Sequence, residues 1–279
     1  MPRTTALERR LTMQCRFQRA GLLALVLVVA GCLRSSGPEV VVYTALDSTF
    51  SEPILQDFTA NTGITVLPRF DTEATKTVGL ANAIVAEAGR PRCDVFWNNE
   101  ILNTLRLAQQ GLLETYQSPP AAAYPAMYRD PQGMWHGFAA RGRILIVNTE
   151  LVAASERPSS IYDLANPKWR GRVAIAKPLF GTTATHAACL FAALGEKPAQ
   201  EFFQRIKDNG IRIESGNKQV AVSVATGQTA FGLTDTDDAL AMIDQGHPVT
   251  MVYPDQQADQ LGTLFIPNTL AIIKGCPHP

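Results

Sequence analysis

Short apolar runs rich in β-branched residues alternate with helix-like segments along most of this 279-residue chain. This alternation restricts the fold more than any other feature, because a strand–helix–strand order favours a parallel sheet with right-handed crossovers. In the first half the helical segments repeat apolar residues at helical spacing, and two of them are followed by glycine. The predicted elements of this half are strands at 40–43, 65–70 and 93–97 and helices at 52–61, 72–88 and 100–110.

A proline-containing passage at residues 118–131 separates this block from a second one. The second block begins with a long predicted strand at 137–149 and ends with residues 263–274, which we interpret as two strand pieces broken at Pro267. Between them we predict strands at 173–176, 230–233 and 249–253 and helices at 183–194, 199–209, 218–226 (capped by Asn217) and 237–245. Two α/β blocks joined by two extended segments indicate two lobes with a ligand cleft between them.

Polar side chains follow the predicted strands directly, at the edge of the sheet where α/β proteins bind small ligands. The candidate ligand-binding residues are Thr44, Asp47, Ser48, Thr72, Glu73, Asn98, Asn99, Glu100, Arg141, Thr182, Thr183, Thr185, Asn217, Asp235, Asp237 and Asp238. The last three are notable because carboxylates this close repel one another unless solvent, hydrogen bonds or a cation offsets the repulsion. We therefore expect the segment 235–238 to contact a ligand.

The N-terminus has the pattern of a secretory signal. Five arginines precede an apolar run at 20–30, and small residues lead to Cys32. The Ala-Gly-Cys end resembles a bacterial lipobox, so we predict a signal peptide at 1–31, lipidation of Cys32, a tether at 32–38 and an extracytoplasmic, membrane-anchored protein. The alternative is a transmembrane anchor, but the run is shorter than the ~20 residues that a spanning helix needs.

Charge and cysteine content exclude several classes of protein. Residues 1–31 hold five of the 25 basic and one of the 25 acidic side chains, so the remainder carries 20 and 24, a net charge of −4. This balance provides no electrostatic basis for nucleic-acid binding. Cys93, Cys189 and Cys276 lack the spacing of a disulfide framework or a zinc site.

Four segments carry a resemblance to a known family: Val-Val-Tyr-Thr at 41–44, Asp-Val-Phe-Trp at 94–97, Gly-Phe-Ala-Ala-Arg-Gly-Arg at 137–143 and Asn-Pro-Lys-Trp-Arg-Gly-Arg-Val-Ala-Ile-Ala at 166–176. With them the chain resembles the extracytoplasmic solute-binding proteins of ABC importers, in the ferric-ion-binding branch. The resemblance implies a two-lobed, type II periplasmic binding protein with a mostly parallel sheet in each lobe and two crossing strands. The first lobe would comprise 39–140 and 264–279, and the second 141–263. Relatives usually continue with C-terminal helices, so we expect the first lobe to be truncated here.

The same resemblance implies a metal site with a large departure from the family. Two adjacent tyrosines commonly hold iron in these relatives, and Asp237 and Asp238 take their places here. Asp47 matches the neighbourhood of the family's histidine, and Glu73 matches a glutamate ligand. Carboxylates without phenolates still suit a hard cation, ferric iron or calcium.

The residues themselves leave three interpretations of the site open. In the first, Asp235 joins the four acidic residues named above around a metal ion. In the second, a small oxyanion or organic phosphate binds at the helix start Gly181–Thr183, with Arg141 as a bidentate clamp and Ser48 and Thr72 as hydroxyl donors. Both apply together if the ligand carries both charges. In the third, the acids only complement a helix dipole, worth ~0.3–1 kcal/mol each, and a threonine caps its helix.

An enzyme is the remaining alternative. Asp235-x-Asp237 after a strand imitates the nucleophile loop of haloacid-dehalogenase-type phosphotransferases, which use magnesium. That loop normally follows the first strand of its domain, whereas this one comes late. We therefore predict a non-enzymatic, monomeric binding protein that needs no catalytic cofactor. Its lobes would close on a small charged ligand and deliver it to an ABC transporter permease.

Overall fold

The computed structural model describes residues 37–71 and 78–279. The chain divides into two units, residues 1–39 and residues 40–279. Of the first unit only residues 37–39 are described, and the elements below belong to the second apart from Glu39, which begins the first strand. The predicted signal segment with Cys32, most of the tether, and the candidates Thr72 and Glu73 lie outside the described residues. Within the described part, none of the helices combines the length and the apolarity that a membrane crossing needs.

The described elements alternate as the sequence pattern predicts. The strands are β1 Glu39–Thr44, β2 Thr65–Phe70, β3 Val95–Asn98, β4 His136–Asn148, β5 Val173–Ala176, β6 Arg212–Glu214, β7 Phe231–Asp235, β8 Val249–Val252 and β9 Phe265–Ile272. The helices are α1 Ser48–Thr62, α2 Val78–Ala86, α3 Leu102–Gln109, α4 Gly181–Leu194, α5 Glu196–Asp208, α6 Asn217–Ala225 and α7 Thr236–Asp244, and short 3-10 turns lie between β3 and β5.

The strands form one connected sheet in the order β2-β1-β3-β9-β4-β7-β5-β6, and β8 also pairs with β4. Parallel pairing joins β1 to β3 in one half, and β5 to β6 and β7 in the other. The long strand β4 connects the halves, because its first part pairs with β9 while its second part pairs with β7 and β8. Two parallel-paired groups joined by two antiparallel crossing strands confirm the predicted fold class.

The predicted break at Pro267 is wrong, because β9 is continuous from Phe265 to Ile272. Proline cannot donate to a ladder and therefore needs a strand position with an unpaired side. Here β9 pairs with β3 only from Thr269 onwards, so at Pro267 one side of the strand has no ladder partner among the residues that the structure describes. The proline is thus tolerated inside a crossing strand.

The core of the second half lies on both faces of the second part of β4. Leu145 and Val147 pack into a cluster with Trp169 and Phe231, whereas the alternate residues Ile144 and Ile146 pack on the opposite face against α6 and α7. Burying each such aliphatic side chain contributes about 1.5–3 kcal/mol. This core holds the carboxyl ends of β5 and β7 in place, and the candidate site lies at those ends.

Close packing of α6 on the sheet depends on one glycine. A Cβ atom built on Gly232 in β7 would lie 2.5 Å from Cγ1 of Val220 and 2.8 Å from the carbonyl oxygen of Ala174. The glycine therefore allows α6 to approach β7, and it brings the start of α6 to the end of that strand.

Candidate functional site

Three helix N-termini meet at one cleft in the second half of the fold. Strands β5, β6 and β7 lead into α4 at Gly181, α6 at Asn217 and α7 at Thr236. The first half contributes Asp47, which precedes α1, and Asn99, which follows β3. The space between these groups measures about 30 Å³, enough for an ion or a small anion in this conformation.

Nine of the sixteen predicted ligand-binding residues line this cleft: Asp47, Asn99, Arg141, Thr182, Thr183, Asn217, Asp235, Asp237 and Asp238. Sequence reasoning missed five other lining residues, Ala176, Lys177, Phe180, Ser215 and Gly216. The exposed Lys177 directly follows β5, so the rule that selected the other candidates applied to it as well.

Five of the predicted residues that the structure describes do not line the cleft. The Thr44 hydroxyl accepts a bond from the backbone N–H of Leu46, and Ser48 is exposed on the first turn of α1. Asn98 is buried and donates to Glu100 and Thr104.

Glu100 and Thr185 lie in a buried contact between the two halves of the sheet. The Thr185 hydroxyl in α4 donates to Oε2 of Glu100 at 3.0 Å, and both residues are almost fully buried. Glu100 also accepts the backbone N–H groups of Leu102 and Asn103 at the start of α3. The structure thus uses this carboxylate as a helix cap and a cross-link.

Asp235, the last residue of β7, is fully buried, and both of its carboxylate oxygens accept hydrogen bonds. Its Oδ1 lies 2.6 Å from Nη1 of Arg143, and its Oδ2 accepts bonds from Thr182 at 2.6 Å and Asn217 at 3.0 Å. Arg141 is a second, longer ion-pair partner at 3.4 Å. Burial alone would raise the pKa of Asp235, but the charges of Arg143 and Arg141 and the hydrogen bond from Thr182 outweigh burial and lower that pKa.

These contacts correct two predictions. Asn217 does not cap its helix with its side chain, because Gly216 is the N-cap residue and the Asn217 side chain bonds to Asp235 and Thr182. The threonines of α4 are not N-caps either, since Phe180 holds that position. Thr182 donates to Asp235 and Thr183 donates to Asn217, so these side chains are hydrogen-bonded to one another.

Asp237 has the opposite environment from Asp235. Its Oδ2 lies 2.7 Å from Nη2 of Arg141, while its Oδ1 is buried and has no hydrogen-bond partner among the described residues. Burial raises the pKa of Asp237, the negative charges of Asp235 and Asp47 add to that increase, and Arg141 opposes it without cancelling it. A carboxylate in this state gains stability from any cation that reaches it.

Asp238 completes a group of three carboxylates. One oxygen from each of Asp235, Asp237 and Asp238 lies within 4.8 Å of the others. Asp238 is buried and accepts a bond from Thr234 at 3.4 Å. Arg143 compensates Asp235 and the shorter ion pair of Arg141 is with Asp237, so the three carboxylates exceed the two guanidinium charges by one.

Arg141 is not a free anion clamp as the sequence suggested, because its guanidinium pairs with Asp235 and Asp237. The missed residue is Arg143, which is completely buried. A strand period of two places Arg141 and Arg143 on the same face, and Arg143 is the register partner of Asp235. The spacing of Arg141 and Arg143 is present in the sequence, but the apolar run that follows Arg143 indicates a strand and gives no sign of a role at the site.

His186 lies behind the cleft, against a separate apolar cavity of about 350 Å³. Its Nδ1 is 3.5 Å from Nε of Arg143. Burial, reinforced by the charge of Arg143, lowers the pKa of His186 to about 3, so its imidazole is neutral at physiological pH.

Comparisons with known proteins agree with this architecture. The profile of the bacterial extracellular solute-binding protein family matches residues 103–277. An Fe(3+)-binding periplasmic protein of Serratia marcescens is 26% identical over 79% of this chain, and iron uptake protein A1 of Synechocystis is 25% identical over 86% of it. The chain spans 65% and 68% of the lengths of these two relatives.

Two solved structures share the fold. Iron-bound HitA from Pseudomonas aeruginosa superposes with a TM-score of 0.78 at 24% identity, covering 87% of this chain and 78% of its own. AfuA from Actinobacillus pleuropneumoniae, solved with fructose-6-phosphate, has a TM-score of 0.74 at 25% identity, covering 87% of this chain and 76% of its own.

Proposed function

Because the chain belongs to the bacterial extracellular solute-binding protein family, we propose that it captures a small charged solute in the cleft around Asp237 and delivers it to an ABC transporter permease. Two lobes, 39–140 with 264–279 and 141–263, would close on the solute. A solute that contacts both Asp47 and Asp237 favours the closed form by its differential affinity. The buried bond between Glu100 and Thr185 is a contact that such closure would make.

Ferric iron is the solute that we propose first. The observation that carries this choice is the unpartnered buried Oδ1 of Asp237 within a group of three carboxylates. Oxygen ligands suit a hard cation, and the relatives from Serratia and Synechocystis are named for iron rather than for calcium. Asp47, Asp237 and Asp238 are the proposed ligands on the described residues, and Glu73 stays a prediction.

An accompanying anion has a separate place in the proposal. Lys177 and the N-termini of α4 and α6 lie on the same cleft as the acidic group. Helix N-termini present unpaired backbone N–H groups and a partial positive charge. A small oxyanion bound at Lys177 and these helix N-termini would balance the charge of a trivalent cation bound at the acidic group.

A small organic phosphate is the second candidate. AfuA, at 25% identity, was solved with fructose-6-phosphate. Lys177 and the helix N-termini at the cleft suit a phosphate group. In this arrangement Asp237 would accept hydrogen bonds from hydroxyl groups of the solute. The unpartnered Oδ1 of Asp237 within the group of three carboxylates favours the cation over the sugar phosphate.

The remaining parts of the proposal concern location and assembly. A signal peptide at 1–31 and lipidation at Cys32 would keep a monomeric protein near its permease, outside the cytoplasm.

We favour transport over phosphotransfer because both oxygens of Asp235, the residue at the nucleophile position, already accept hydrogen bonds. Phosphatase activity with magnesium that Asp235→Asn abolishes would contradict this part.

Titration with ferric citrate and with fructose-6-phosphate, each followed by native mass spectrometry, tests the choice of solute. We expect one bound iron per chain and no retained sugar phosphate. Lys177→Gln removes a cation from the proposed oxyanion site. It should therefore weaken iron binding more at low than at high concentrations of the accompanying oxyanion. Retention of sugar phosphate without metal selects the second candidate, and binding of neither solute refutes both.

A further inference from the structure

Arg143 is a completely buried cation behind the cleft rather than on its surface. It lies in β4, directly opposite Asp235 in the antiparallel register with β7. An unpaired guanidinium at this depth would be strongly destabilising, so its partners define what it does.

The guanidinium contacts three separate elements that end at the cleft. Nη1 donates to Asp235 at 2.6 Å and to Asn217, the first residue of α6, at 3.1 Å. Nη2 donates to Thr183 in the first turn of α4 at 3.3 Å, and Nη1 lies 3.4 Å from Thr182. Four residues that line the cleft thus converge on one side chain that does not line it.

The contacts also distribute charge. Arg143 neutralises Asp235, which leaves Arg141 for Asp237. Since Asp235 has no free oxygen, the solute meets Asp237 and Asp238 and not the full acidic group. A lysine in place of Arg143 would keep one ion pair but lose the planar fork that reaches α4 and α6 together.

We propose that Arg143 is a positioning residue that fixes the starts of α4 and α6 around the cleft and withholds Asp235 from the solute. This role rests on the proposed function for its effect on solute binding, but its effect on the two helix starts does not require any solute. Two measurements therefore separate the two claims.

The test compares Arg143→Lys with the wild type and with Arg157→Lys, an exposed arginine that serves as the matched control. We expect Arg143→Lys to weaken ferric citrate binding about tenfold, as loss of an outer-shell partner of a metal site does. Without any solute, hydrogen–deuterium exchange should rise at residues 184–187 and 220–223, the first hydrogen-bonded amides of α4 and α6, but not in α5. A general loss of stability would instead raise exchange in α5 as well.

A second variant keeps the test decisive if Arg143→Lys does not fold. Arg143→Met with Asp235→Asn removes both buried charges together, which is tolerated far better than removing one. The double variant should show the same local exchange and weakened binding. Unchanged exchange at both helix starts in a folded variant overturns the proposal. If the wild type binds no solute, the proposed function fails, and the exchange data still decide the role of Arg143.

Discussion

Replacing Asp237 by asparagine should separate solute binding from stability. Asparagine keeps an oxygen that accepts from Arg141 but loses the charge, so part of a charge-assisted bond worth about 1.5–3 kcal/mol is lost. The change also replaces the buried, unpartnered carboxylate oxygen by an uncharged amide group and removes the repulsion from the negative charges of Asp235 and Asp47. Because these terms oppose each other, we expect the free energy of unfolding to change by less than about 1 kcal/mol, or about 4 °C in Tm.

Binding of the cation should respond very differently. Loss of one charged ligand should weaken ferric citrate binding at least about 100-fold, which equals about 2.8 kcal/mol at 1.4 kcal/mol per tenfold change. The assay is isothermal titration, with thermal unfolding of the same samples. Asp244→Asn is the matched control, because Asp244 ends the same helix, α7, and is exposed.

The pH dependence gives a further signature of Asp237. Its pKa is raised, mainly by burial, so protonation competes with the cation at higher pH than at an ordinary aspartate. Affinity should therefore rise with pH through that raised pKa in the wild type, and this component should vanish in Asp237→Asn. If the variant binds iron as tightly as the wild type with the same pH profile, the assignment of the cation to Asp237 is refuted.

Four further predictions follow from separate contacts. His186 has a pKa near 3, against 6.5 in the unfolded chain, so its contribution to stability is complete above pH 6.5 and is lost as the pH falls towards 3. His186→Gln should reduce the loss of unfolding free energy between pH 7 and pH 5 by about 2 kcal/mol in urea unfolding. The same pH dependence of that free energy in both proteins would contradict this prediction. Thr185→Val removes the bond to Glu100 and should shift small-angle scattering of the solute-bound protein towards a more open form, whereas an unchanged profile argues against closure through this contact. Gly232→Ala should lower the Tm by several degrees because its Cβ meets Val220 at 2.5 Å, and a Tm equal to that of the wild type would mean that α6 can move away freely. Cys32→Ser should release the protein from membranes in cell fractionation, and retention of an uncleaved form would instead indicate an anchor.

The fold was largely predictable because its signals are local. Periodicity and terminal glycines identified most described strands and helices to within a few residues, including the long crossing strand β4, but the short strand β6 was not predicted. The position of a side chain after a strand also identified most of the cleft, since the carboxyl ends of parallel strands meet at one edge. Pro267 was misjudged because whether a strand position is paired on both sides depends on its neighbours.

The sequence by itself determined the alternation of strands and helices, the two blocks and the acidic group at 235–238. Only the tertiary structure decided how those charges are shared, because Arg143 and Asp235 are 92 positions apart and meet through the register of β4 and β7. The same long-range pairing turned Thr182 and Asn217 into partners of Asp235 and left Asp237 with an unpartnered oxygen. Residue type and spacing list the charges near a cleft, but burial and distance determine which of them remains available to a ligand.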